Sequence, residues 1–106
     1  MNLELACFIS PHGYGHATRT IAVLQAIQKH IPDLKAHLFT VAPPALFETS
    51  NLALQLHPVI TDVGLIQSDA FNADHLQTVA KLSELLPFRP ALVNHCVDLC
   101  RSCGLI

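Results

Sequence analysis

The segment Ser10-Pro11-His12-Gly13-Tyr14-Gly15-His16-Ala17-Thr18-Arg19 gathers the side chains best suited to chemistry in this chain. Two imidazoles, three hydroxyls and a guanidinium lie close together there, with two glycines among them. Gly13 and Gly15 let the backbone turn tightly and approach a ligand with no Cβ in the way. A helix starting here would present unpaired N–H groups and a partial positive charge, suited to an anionic or hydroxyl-rich ligand. His16 and Arg19 are three apart, so both would face the loop from the first helical turn. The plain alternative is a strand-to-helix turn with solvated histidines. The density of functional groups weighs against it. Two phosphate-binding patterns fail here. Thr18 stands where a dinucleotide fingerprint needs its third glycine, and no acidic residue ends the second strand. A Gly-Lys-Ser/Thr sequence, needed for a nucleotide P-loop, is missing too.

The surrounding pattern says what must position this loop. Leu3 to Ile9 is a short, near-continuous apolar run that suits a strand buried on both faces. From Ala17 to His30 the apolar positions Ala17, Ile21, Leu24 and Ile27 recur at three and four, a helical stripe that Pro32 ends. A second strand is expected over Ala36 to Val41, then a short helix from Pro43-Pro44 to about Ser50. Leu52 to His57 alternates with period two, and Val59-Ile60 would extend this half-covered strand beyond Pro58. Thr61 to Asn72 reads as a loop. Two helices follow, Ala73 to Leu86 with Asn72 as N-cap and Pro87 to Cys103 with Gly104 at C′. The order β-α-β-α-β-α-α implies an α/β fold with a parallel sheet of about three strands and helices on its faces. The loop around Gly15 would then lie at the carboxyl end of that sheet, where open α/β folds bind ligands. A further strand is expected after Ile106, so the sheet reads as truncated.

Composition narrows the partners. Hydrophobic residues make up 51% of the 106 and charged residues 13%, too apolar for a disordered tail. So little polar cover implies surface buried against a missing domain or against another copy, and the isolated chain is expected to be oligomeric or poorly soluble. A net charge of −2 with six scattered basic residues excludes a phosphate-tracking stripe, so nucleic acid is not an expected partner. No apolar stretch is long enough for a transmembrane helix, and the first residues lack a signal-peptide pattern. Four cysteines, three of them crowded at one end, suit a reducing cytoplasm better than a disulfide framework.

The loop sequence Ser10 to Arg19 resembles the opening loop of GT-B-type glycosyltransferases. It is particularly similar to the glycosyltransferase-like N-terminal region of plant-type L-arabinokinases, where Gly-x-Gly-His-Ala-x-Arg recurs. The segment Asp62-Val63-Gly64-Leu65-Ile66-Gln67-Ser68-Asp69-Ala70 is similar to the same group. The resemblance implies one partial, Rossmann-like, acceptor-side domain over residues 1–106, with the donor-binding domain absent. It implies activated-sugar chemistry: a sugar moves from a nucleotide-sugar donor to an acceptor hydroxyl, with no further cofactor. His16 occupies the general-base position, and an imidazole with pKa near 6.5 suits proton removal at neutral pH. Asp69 would orient His16, while His12, Gly13, Gly15, Thr18 and Arg19 would position acceptor or diphosphate. Without its second domain the chain would not turn over. A non-catalytic sugar- or nucleotide-binding module using the same loop is the alternative.

Other clusters read as packing. Cys96-x3-Cys100-x2-Cys103 has the spacing of a radical-SAM iron–sulfur motif, but the cysteines continue a helical stripe with Leu92, Val93 and Val97 and are expected in the core. His12 and His16 lack a carboxylate neighbour, and no metal site is expected. His30, His37, His57 and His75 read as surface or rim residues, and Phe8, Phe39, Phe47, Phe71 and Phe88 as core or interface packing.

Overall fold

Three strands, β1 (Glu4–Phe8), β2 (Lys35–Phe39) and β3 (Ala53–His57), run parallel in the order β1-β2-β3. The chain is seen in a computed structural model that describes residues 2–106. Helix α1 (Gly15–His30) joins β1 to β2, a single 3-10 turn (Pro44–Leu46) lies between β2 and β3, and α2 (His75–Leu85) and α3 (Pro90–Ser102) follow. The expected open α/β fold with a three-stranded parallel sheet, a partial Rossmann-like arrangement, is what forms. Among the described residues no helix is long and apolar enough to cross a membrane.

The strand register separates the two faces of the sheet. Cys7 pairs with Leu38 and Leu38 with Leu56, and this set continues into Leu5, Ala36 and Leu54. With Ile9 these residues pack against Ala17, Leu24, Ile21 and Ile27 of α1 to form the core. Leu24 and Leu38 are 2% and 0% exposed, so each burial contributes roughly 1.5–3 kcal/mol. The opposite face carries the row Phe8, Phe39 and His57, which pair in register and stack with ring centroids 4.6 and 4.7 Å apart. On this face Phe8 shares an apolar groove with Leu92, Val93, Cys96 and Val97 of α3. The helices are unequally held: α1 buries Ala17 and Leu24, whereas no residue of α2 or α3 is fully buried.

Several expected boundaries shift for local reasons. Helix α1 begins at Gly15 rather than Ala17, with Tyr14 at its N-cap. β2 ends at Phe39 rather than Val41, because the Thr40 hydroxyl turns back to accept from the Ala42 N–H at 3.1 Å. β3 ends at His57: Pro58 has no N–H for the ladder, and Val59-Ile60 leave the sheet. The helix after Pro43 shrinks to one 3-10 turn. Helix α2 is capped by Asp74, whose carboxylate accepts from the Gln77 N–H at 2.9 Å, and not by Asn72, whose amide is engaged by Asp69. Helix α3 starts at Pro90, which takes the first turn in place of Pro87. Gly104 does occupy C′, at φ +75°. The Leu105 N–H donates to the Cys100 carbonyl at 2.8 Å and the Gly104 N–H to that of Arg101 at 3.1 Å, closing a Schellman motif.

Candidate functional site

The loop between β1 and α1 is shaped by its glycines. Gly13 sits at φ +62°, a left-handed conformation that a side chain would strain. No side chain caps the start of α1, and its chain is closed by the Thr18 N–H donating to the Tyr14 carbonyl at 3.0 Å. His16 and Arg19 on the first turn line a cleft of about 390 Å³ with Phe8, Ile9 and Ser10 at the carboxyl end of β1. The cleft continues along the free edge of β1 past Cys7 and Leu5. Arg19 folds back over Gly15, where an added Cβ would come 3.4 Å from its Nη2. An imidazole and a guanidinium therefore share one recess at the sheet's carboxyl end.

The other expected site residues do not all converge there. The Thr18 hydroxyl donates to the Gly15 carbonyl at 3.1 Å and so serves the helix start. His12 is exposed, its N–H donates to Ser10 Oγ at 3.4 Å, and its ring side packs on Gly64. Asp69 is exposed in the 61–72 loop, where its Oδ1 accepts from the N–H groups of Phe71 and Asn72 at 2.8 and 3.0 Å. The Asn72 amide, followed by the Phe71 N–H, holds this carboxyl below its ordinary range. Every hydrogen bond of Asp69 stays within its own loop, and none reaches His16. The loop itself is pinned by a Gln67–Ala73 bridge and by the Ile66 N–H donating to Thr78 Oγ1 at 2.9 Å.

Gly64 joins the two loops. A Cβ added there would overlap Cβ and Cγ of His12, and rotating the ring away would not relieve the clash with Cβ, which moves only with the backbone. Gly64→Ala is therefore expected to destabilise the chain by about 1–3 kcal/mol, the usual range for overpacking, and to shift the His12 ring resonances. Urea unfolding and proton NMR would show this; unchanged midpoint and spectra would mean that the loops are not in contact.

Two histidines are placed against expectation. His37 and His57 are each 6% exposed, not rim residues. His37 is in the central strand and His57 closes β3, and both point to the Phe39 side of the sheet. The signal lay in the period-two alternation, which puts His37 on the same face as Phe39 and His57 on the same face as Gln55. His37 Nδ1 and His57 Nε2 are 3.2 Å apart, and Cys103 Sγ lies 3.7 Å from the same His57 nitrogen. Burial, and then the neighbouring His37, lowers the His57 pKa from 6.5. The unfolded chain thus takes up this proton first as pH falls. Stability from His57 is complete above about pH 6.5 and declines on acidification from there to its folded value. Urea midpoints measured from pH 8 to pH 5 are expected to fall on the acid side, less steeply in His57→Gln; matching slopes would contradict this.

The cysteines divide. Cys96 and Cys100 are half-buried and line the apolar groove with Leu92, Val93 and Val97, so the helical stripe is real but is not core. Burial, and then Cys100, pushes the Cys96 thiol up, and burial does the same to Cys7. Cys103 turns away to His57. Among the described residues, the side chains that converge with metal-ligand spacing are His37, His57 and Cys103, not the three cysteines. Of the phenylalanines, Phe39 and Phe47 are buried, whereas Phe71 is 96% exposed and takes no part in the core.

No family model matches the chain. No solved structure matches it. It is similar to L-arabinokinase of Arabidopsis thaliana, 33% identical over 85 residues, which is 78% of this chain. The chain spans about 8% of the length of that relative. What the fold and the comparison jointly support is a partial Rossmann-like α/β unit similar to one stretch of a plant L-arabinokinase.

Proposed function

We infer that this chain is the acceptor-side half of a GT-B-type glycosyltransferase, moving a sugar from a nucleotide-sugar donor to an acceptor hydroxyl once a donor-holding domain is present. The observation that carries this reading is the shared cleft of His16 and Arg19 at the carboxyl end of β1. His16 takes the acceptor proton as the hydroxyl attacks the anomeric carbon and the nucleoside diphosphate leaves. Arg19 supplies a fixed positive charge for phosphate or for acceptor hydroxyls. The similarity to L-arabinokinase, a protein named for a sugar, agrees with a sugar ligand. The donor-holding partner is a second α/β domain or a second copy, and exposed Phe71, Leu76 and Val79 supply apolar surface for it. Four free thiols suit a cytoplasmic setting.

A non-catalytic sugar- or nucleotide-binding role is the second reading. It is favoured by one observation: Asp69 spends its hydrogen bonds inside its own loop, leaving His16 without that orienting carboxylate. Saturation-transfer NMR of the full chain with monosaccharides, sugar phosphates and nucleotide sugars tests the shared premise. Binding is expected for at least one class, and Arg19→Ala should weaken it about tenfold or more, consistent with loss of a charged hydrogen bond. Absence of binding, or binding indifferent to Arg19→Ala, would remove the cleft from both readings.

A further inference from the structure

The cluster of His37, His57 and Cys103 stands apart from the cleft lined by His16 and Arg19, and hydrogen bonding among its members does not fully account for it. A neutral imidazole nitrogen carries either one proton or one lone pair. Yet both His37 Nδ1 and Cys103 Sγ converge on the single nitrogen His57 Nε2, at 3.2 and 3.7 Å. If His57 Nε2 donates, its one proton serves one neighbour well; if it accepts, its one lone pair does the same. A cation at the centre removes the conflict, because each of the three atoms then contributes one lone pair to it.

The spacing suits such an ion. Zinc bonds of about 2.0–2.1 Å to nitrogen and about 2.3 Å to sulfur, at tetrahedral angles, set nitrogen pairs roughly 3.3 Å apart and nitrogen–sulfur pairs roughly 3.6 Å apart. Two edges of the ligand triangle already have these lengths within about 0.2 Å. All three residues offer ligand atoms within 4.8 Å of one another, so the last edge closes with a movement of no more than about 1.2 Å. The donors are held firmly. His37 and His57 are on adjacent paired strands with ring centroids 5.4 Å apart and planes within 18°, and Phe39 stacks on His57 at 4.7 Å. Cys103 is fixed at the C-cap of α3 by the Gly104 turn. The donor set of two imidazoles and one sulfur selects borderline-soft ions and rejects Mg²⁺ and Ca²⁺, which take oxygen ligands.

We propose that His37, His57 and Cys103 form a three-ligand Zn²⁺ site that fastens the C-terminal end of α3 to the sheet. Binding converts the Cys103 thiol to a thiolate and releases its proton to solvent, leaving a site of net charge +1 with a fourth position open to water or an anionic group. The site supplies what packing does not, since α3 has no fully buried residue of its own. Sequence spacing hides it, because the ligands are 20 and 46 positions apart.

Co²⁺ added to the metal-free, reduced full chain tests this directly. One equivalent should bind, with a thiolate-to-cobalt charge-transfer band and the strong visible bands of a tetrahedral ion. Cys103→Ser should remove the charge-transfer band and weaken competitive Zn²⁺ binding at least about 100-fold, because losing even an outer-shell partner costs about 10–100-fold. His37→Gln should weaken binding comparably while retaining the charge-transfer band, and Cys96→Ser and Cys100→Ser should change neither readout. Zn²⁺ should raise the Tm of the parent chain and leave that of Cys103→Ser unmoved. Cys103 is only half-buried at a helix end, so its serine variant, checked by far-UV circular dichroism, keeps the test valid if His37→Gln fails to fold. The site is overturned by absence of saturable one-to-one binding, by a charge-transfer band that survives Cys103→Ser, or by a weak octahedral spectrum without thiolate character.

Discussion

Under the proposed sugar-transfer role, His16→Ala is expected to lower kcat by about 10²–10⁴ in a complete enzyme, with sugar binding to this half unchanged. The magnitude is that of removing a positioned proton acceptor, and it would appear in kcat rather than in KM because the proton moves only as the bond to the anomeric carbon forms. Geometry makes the test selective. His16 lies on the first turn of α1, exposed, with its carbonyl accepting the Thr20 hydroxyl at 2.8 Å. Removing its side chain therefore deletes no core contact, and the fold should persist. Arg19→Ala should instead raise KM or Kd, since in the proposed role its guanidinium, which lines this recess, would contact ligand before and during reaction. Equal loss of turnover and binding in His16→Ala would point to the binding module and away from base catalysis.

Phe39→Ala should have the largest effect on stability, about 3–5 kcal/mol, enough to unfold the chain if its net stability is near the low end of the usual 5–15 kcal/mol. Phe39 is fully buried in the last pair of the central strand and stacks on both Phe8 and His57. Its removal opens a cavity on the face where α3 has little burial of its own. Phe8→Ala is the internal control. Phe8 is 53% exposed, so its loss should cost chiefly the aromatic pair, about 0.5–1.5 kcal/mol. Urea unfolding of the two variants measures the difference. A Phe39→Ala change no costlier than Phe8→Ala would mean that the Phe8-Phe39-His57 row is not part of the folded core.

Local sequence determined the strands and the first helix because each rests on periodicity or on a single residue's backbone limits. The runs through Leu5, Leu38 and Leu56 are strands that turn alternate apolar residues to the α1 side, but only β2 is buried on both faces; β1 and β3 leave Ala6, Phe8 and Gln55 exposed on the other, so the two-sided burial expected of the first strand does not form. The stripe through Ala17, Ile21 and Leu24 makes one face of α1 the core. Gly13 and Gly104 stand at positive φ where a turn and a helix end require it. His16 and Arg19 line one cleft because three helical residues bring them to one side, and the strand before them ends at the carboxyl edge of the sheet.

Tertiary structure decided everything that joins distant segments. Asp74 caps α2 in place of Asn72 because the bonds of Ile66 to Thr78 and Asp74 set where the helix begins. Gly64 matters only because His12 arrives beside it. His37 and His57 are buried, and Cys103 leaves its helical stripe to meet them, because strand register and the C-cap of α3 bring those three atoms together. Periodicity reports which face of one element is apolar; it carries no information on which polar groups two elements will place within bonding distance, and that depends on register and packing.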